Sequence, residues 1–406
     1  MNRRLFFQSA LAAGIAAATG TSASGATASG KRSTAKLRTT RRAGEANLFS
    51  PLEIRGVTLP NRIAMSPMCQ YSSEDGFANE WHMAHHAARA VGGVGLLIAE
   101  ATGVVPEGRI TPNCLGIWKD DHIPALRRVT DFITAHGAVP GIQLAHAGLK
   151  GSRHRPFHPE RGKYVPKDEG GWVPVGPTAK RYRSGGPVPR ELSVPEIRGI
   201  IQSFADAAKR SIAAGFQVVE LHFAHGYLGH SFLSPLMNER TDEYGGSFEN
   251  RTRFLMESVR AVRAVLPEET PLFVRFSCTD WVEGGWTLED SVRAARLIKT
   301  EGVDLIDCST GGASRNAEIP VGPDYQVPFA TEIREKAEIL TGAVGLITEA
   351  AQADAIIAEG RADLVLMGRA LLRNPHWPHQ AWVELESKSP PPIAREYAWA
   401  LSETRR

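Results

Sequence analysis

From Leu48 onward, short apolar runs alternate with longer amphipathic stretches. The apolar runs at 62–65, 94–99, 140–144, 218–222, 272–276, 305–308, 343–347 and 364–367 are each bounded by Gly, Pro or polar residues, which predicts eight strands. Between most of them, apolar positions recur at helical spacing over 123–135, 194–214, 250–266, 289–300, 329–337 and 349–359. Pro195 suits the first turn of its helix and Gly215 suits its stop. Eight strands alternating with helices predict an α/β chain folded as a (β/α)8 TIM barrel. The rival, a doubly wound sheet, would show a Gly-rich dinucleotide turn after its first strand, and none follows 62–65. The irregular stretch 151–189 is rich in Gly, Pro, Arg and Lys. An insertion of that length after strand three reads as a lid or substrate loop, not a second domain.

Bulk properties narrow the function classes. The chain has 406 residues, 42% of them hydrophobic, which is enough for a large core. A formal net charge of +3, with no basic block, argues against a nucleic-acid partner. The four cysteines (Cys69, Cys114, Cys278 and Cys308) form no CxxC pair, so neither a zinc ribbon nor an iron–sulfur cluster is expected. The N-terminus carries Arg3-Arg4-Leu5-Phe6-Phe7 and then an Ala/Gly-rich run too short to span a bilayer. It resembles a Tat export signal over 1–28, with the Tat translocase as partner, followed by a disordered linker over 29–46. That implies a periplasmic or otherwise exported protein, or a cytoplasmic one if the signal is not used. The barrel is expected over 47–387, with a C-terminal tail over 388–406.

The densest chemistry lies at the end of the fourth apolar run, in Glu220-Leu-His222-Phe-Ala-His225-Gly-Tyr227. Barrels place their chemistry at the C-terminal ends of the strands. Two imidazoles there can stabilise a developing oxyanion, and a nearby phenol can deliver a proton. That suggests reduction of a polarised double bond. By spacing alone, a His-x-x-His pair could equally hold a metal. A second cluster, His82-Met-Ala-His85-His86, precedes a helix running towards Arg89, with only Glu80 as a further candidate ligand. No metal is expected at either place.

An ordered set of motifs spans nearly the whole chain. It runs from Leu48-Phe-Ser-Pro51 through Asn61-Arg-Ile-Ala-Met-Ser66-Pro67-Met68-Cys69 and Gln143-Leu-Ala-His146-Ala-Gly148 to His222-Phe-Ala-His225-Gly-Tyr227. Asn238-Glu-Arg240-Thr-Asp242-Glu-Tyr244-Gly-Gly246, Gly342-Ala-Val-Gly345 and Gly368-Arg369-Ala-Leu-Leu-Arg373 follow. Together these resemble the Old Yellow Enzyme family, in its bacterial branch carrying Ser-Pro-Met-Cys. The resemblance implies FMN at the barrel mouth, reduced by NADPH or NADH and reoxidised by the activated C=C bond of an α,β-unsaturated carbonyl compound. It implies catalytic roles for His222, His225 and Tyr227, the two histidines also binding substrate. It implies cofactor contacts from Ser66, Pro67, Met68, Cys69, Ala101, Gln143, Arg275, Gly345, Gly368 and Arg369, and substrate contacts from Tyr71 and Lys150. A homo-oligomer is also implied, but Tyr397 stands where the branch places an Arg that reaches a neighbouring subunit, with Arg395 two residues earlier. The alternative is an exported flavin-binding redox protein that uses a donor other than NAD(P)H.

Overall fold

Eight short strands run parallel and close on themselves: β1 (Ile63–Met65), β2 (Leu96–Gly103), β3 (Val139–Ala145), β4 (Val218–Phe223), β5 (Leu272–Ser277), β6 (Leu305–Ser309), β7 (Leu340–Ala343) and β8 (Leu364–Met367). The closing seam pairs Val365 with Ile63, Leu366 with Ala64 and Met367 with Met65. The computed structural model describes residues 47–182, 186–390 and 392–401. The export signal and linker read from the sequence lie outside them. Among the described residues, no helix is long and apolar enough to cross a membrane.

Eight helices follow the strands: α1 (Glu80–Val91), α2 (Ile123–Ala135), α3 (Val194–Ala213), α4 (Arg253–Arg263), α5 (Leu288–Thr300), α6 (Val327–Ala337), α7 (Ala350–Ala358) and α8 (Trp377–Glu384). The physics of α3 is typical. The Ser193 backbone N–H and hydroxyl both donate to Glu196, at 2.9 and 2.8 Å, which closes its first turn. Ile197, Ile200, Ile201, Phe204 and Ala208 form its buried stripe. Phe204 meets Phe223 of β4 and Phe254 of α4, with ring centroids 6.4 Å apart in each case. Burying side chains of this size is worth roughly 1.5–3 kcal/mol each.

Strand alternation sorts the barrel interior. Val218, Phe273, Leu305, Leu96, Val139 and Leu364 share one apolar cluster inside its lower half. A hairpin of Leu52–Ile54 and Val57–Leu59, which the strand pattern did not announce, joins that cluster through Leu52, Ile54 and Leu59 and plugs the N-terminal end. Arg62 anchors it, donating to the carbonyls of Ser50, Pro51 and Asp363. Two residues further up β4, β5 and β6 the inward positions turn polar, as Glu220, Arg275 and Asp307.

Three sequence expectations need correction. The seventh strand is Leu340–Ala343, not 343–347. Thr341 and Gly342 interrupt its apolar run, whereas Gly345 and Leu346 have φ of 127° and 51° and so form a loop. The helix expected over 250–266 is divided into Phe248–Arg251 and α4, with Thr252 between them. The three clustered histidines do not precede α1 but lie within it, and all three are buried. The His82 ring accepts from the Asn79 backbone N–H and caps the helix.

The insertion after β3 folds onto the barrel top, where Val175–Gly176 pairs with Arg190–Glu191. Arg240 pins it, donating to the carbonyls of Pro177 and Leu192 at 2.8 and 2.7 Å while its other nitrogens hold Asp242. Arg240→Ala strands two buried carbonyls, at a cost of about 2–4 kcal/mol. The loss falls locally, so limited proteolysis cuts within residues 151–189 sooner than in the parent. An unchanged cleavage rate would show that something else pins the insertion.

Candidate active site

The C-terminal mouth of the barrel holds a cavity of about 450 Å³. Each strand contributes from its exit. The turn after β1 supplies Ser66, Pro67, Met68, Cys69 and Tyr71. On β2, a register shift between Ala99 and Thr102 accompanies Ala101 at the cavity wall. Gln143 enters from β3, His222 from β4 and Arg275 from β5. The turns after β7 and β8 bring Gly345, Gly368 and Arg369. Lys150 alone of the residues selected from sequence is not on the wall. Its Nζ donates to the backbone carbonyls of His225 and Gly312, at 2.5 and 2.8 Å, and lies over the Tyr182 and Tyr227 rings. It braces the loops behind the site, and burial pushes its pKa down to about 7.

His222, His225 and Tyr227 form one group of rings. The His222 centroid lies 5.2 Å from that of His225 and 5.0 Å from that of Tyr227, each pair edge-on. The group exists because the chain turns sharply after β4, with His225 at a φ of 60°. Gly312 fits beneath that turn because a Cβ there would stand 2.5 Å from the His225 backbone. The Ala224 N–H donates to His222 Nδ1 at 3.3 Å, which places the His222 proton on Nε2. His225 Nε2 instead meets Ser309 Oγ at 2.7 Å. Ser309 itself donates to Gln326 Oε1, as does Thr310.

Burial, and then the nearby Arg275, hold both imidazoles well below the usual histidine range, so both are neutral donors. Burial pushes the Tyr227 and Tyr71 phenols up, so both keep their protons. Cys69 is held above the ordinary thiol range by its hydrogen bond with Cys114 and then by burial. The fold thus joins cysteines far apart in sequence, and Cys278 pairs with Cys308 in the same way. All four are free thiols.

Sequence reasoning missed part of the wall, notably Ser309, Tyr325, Gln326 and Thr348. It also left Glu220 and Asp307 without a role, although strand alternation puts both on the inward face. Gln143 Nε2 donates to Glu220 Oε1 at 2.8 Å, and Arg275 Nε lies 3.1 Å from Asp307 Oδ2.

The chain is similar in sequence and fold to known proteins over the whole barrel. An NADPH dehydrogenase of Geobacillus thermodenitrificans is 49% identical over 354 residues, covering 87% of this chain and 98% of the relative. One of Bacillus subtilis is 46% identical over 354 residues, covering 87% and 99%. Among solved structures, morphinone reductase in complex with tetrahydroNAD superposes with a TM-score of 0.69 at 27% identity, covering 84% of this chain and 91% of that one. An old yellow enzyme homologue from Zymomonas mobilis gives 0.68 at 26% identity, covering 84% and 93%. Residues 47–388 match the NADH:flavin oxidoreductase / NADH oxidase family over the whole barrel. With its eight-stranded barrel and its ordered motifs, the chain belongs to that family, the Old Yellow Enzyme family.

Proposed function

We propose that the cavity holds FMN and that the chain is an NADPH dehydrogenase which reduces the activated C=C bond of α,β-unsaturated carbonyl compounds. The observation that carries this reading is the group of two neutral imidazoles and a protonated phenol on one cavity wall. Such a group suits a carbonyl oxygen that gains charge beside a carbon that needs a proton.

The wall suits FMN chemically. Ser66 has a buried hydroxyl without a hydrogen-bond partner, and Gln143 offers an amide to a heteroaromatic edge. Arg275 brings a cation to the same floor, where it would stabilise negative charge on the ring system. Gly345, with a φ of 127°, and Gly368 expose backbone beside Arg369, which together suit a phosphate. Bound FMN supplies the hydride chemistry between the nicotinamide and the alkene. The chain supplies the remainder. His222 donates Nε2–H to the carbonyl oxygen, and His225 joins it on releasing Ser309. Tyr227 gives its proton to the α-carbon. Cys69 and Tyr71 also line the cavity and shape it against the substrate.

The test is the visible spectrum of the purified protein under anaerobic conditions. Flavin absorption that bleaches with NADPH and returns on adding cyclohexenone is the expected result. A yellow protein that bleaches only with another reductant would redirect the search to a different donor. A colourless protein that cannot be reconstituted with FMN would defeat the proposal. Export through the twin-arginine route, read from Arg3-Arg4-Leu5-Phe6-Phe7, is a separate part of the proposal. Cell fractionation with and without an Arg3→Lys, Arg4→Lys change tests it.

A further inference from the structure

Glu220, Asp307 and Arg275 meet beneath the cavity in a way that neither oxyanion binding nor proton delivery requires. They project inward from β4, β6 and β5, at the level where the barrel interior changes from apolar to polar. Glu220 and Asp307 are wholly buried and Arg275 is 6% exposed. Strand register sets Gln143 beside Glu220 and Arg275 beside Asp307. Both of those pairs are in contact, as described above.

The charges do not balance if every group ionises. Two carboxyl groups face one guanidinium, and His222, directly above, is neutral. Glu220 Oε2 and both Asp307 oxygens accept no hydrogen bond. A second full negative charge in so dry a place costs several kcal/mol. Neighbouring carboxyls that share one cation avoid that cost by keeping a proton.

We propose that Glu220 and Asp307 hold one proton between them, with Asp307 ionised against Arg275 and Glu220 a neutral acid that fixes the Gln143 amide. Because the Gln143 Nε2–H is committed to Glu220, the amide oxygen is left for the cavity. Glu220 is therefore a positioning residue acting through Gln143, and Asp307 one acting through Arg275. The direction of titration agrees. Burial raises the Glu220 carboxyl to about 8, with Asp307 adding to the rise and Arg275 opposing it. Burial raises Asp307 to about 6, with Arg275 again opposing. The cluster is thus electrically neutral as a unit. In the reading of the cavity as an FMN site, on which this consequence rests, Asp307 tempers the pull of Arg275 on a reduced flavin.

Infrared spectroscopy of the purified, flavin-loaded full chain tests the shared proton. The expected result is a carboxylic-acid C=O stretch at neutral pH that shifts with isotope-labelled glutamate and vanishes in Glu220→Gln. No such band, or one that follows labelled aspartate, overturns the proposal. The labelling needs no variant, so a variant that fails to fold does not leave the question open. The flavin midpoint potential supplies a second readout. Asp307→Asn favours reduced over oxidised flavin by about tenfold, about 30 mV for a two-electron couple. Glu220→Gln, isosteric with a neutral acid, changes that preference less than about threefold, roughly 15 mV on the same scale. Equal shifts in the two variants would mean that Glu220 is charged, against the proposal. A merely structural role would lower thermal stability in both without separating their potentials. A protein that takes up no flavin would defeat the functional reading, while the labelled band would still decide the shared proton.

Discussion

Tyr227→Phe lowers alkene turnover by about 10²–10⁴-fold, the usual worth of a positioned general acid. Flavin reduction by NADPH keeps its rate. The substitution removes only a hydroxyl. The ring that packs edge-on against His222 and lies under the Lys150 ammonium stays in place, so the wall keeps its shape. Burial holds the phenol protonated across the ordinary pH range, so the parent shows no loss of rate on the alkaline side from this group. Stopped-flow measurement of each half-reaction separates the two effects. Unchanged alkene turnover would remove Tyr227 as the proton donor, and an equal loss in both halves would point to a damaged cavity instead.

His222→Ala produces the second large effect, a loss of about 10²–10³-fold in alkene reduction, as expected when one oxyanion donor is removed. The Ala224 N–H on Nδ1 fixes the tautomer, so Nε2–H points to the cavity with no rotation needed. His222→Asn, which retains an N–H donor, recovers part of the rate. His225→Ala costs less than His222→Ala, because Ser309 competes for the His225 Nε2–H at 2.7 Å. Steady-state kcat/KM for the three variants orders them. A larger loss at His225 would mean that the tautomer and partner assigned to it change when substrate binds.

Much of this was legible in the chain because barrel strands carry two signals at once. Val218, Glu220 and His222 fall on one face by simple alternation, and the same count finds Phe273, Arg275 and Ser277. The motifs at strand exits then place the chemistry. What stayed hidden depended on packing. The seventh strand contains Gly342, whose Cβ would meet Leu366 at 2.3 Å, so its sequence follows a crowded interior and not an apolar pattern. Ser309, the last residue of β6, meets His225, and Gln326, just before α6, reaches Ser309, and neither contact has a spacing signature in the sequence. The family resemblance implied a substrate contact for Lys150, and only the fold shows it bound to two carbonyls. The cysteine pairs are formed by residues remote in sequence, which no local count of spacing can join.

The hairpin that stops the lower end of the barrel divides labour within the molecule. Leu52, Ile54 and Leu59 complete an apolar foundation that meets the cavity wall at Leu366 and at Val344, which packs against it. Changes to the loops at the other end therefore draw little on the cohesion of the barrel. A designer wishing to admit a bulkier carbonyl compound has freedom at the rim and almost none at the base.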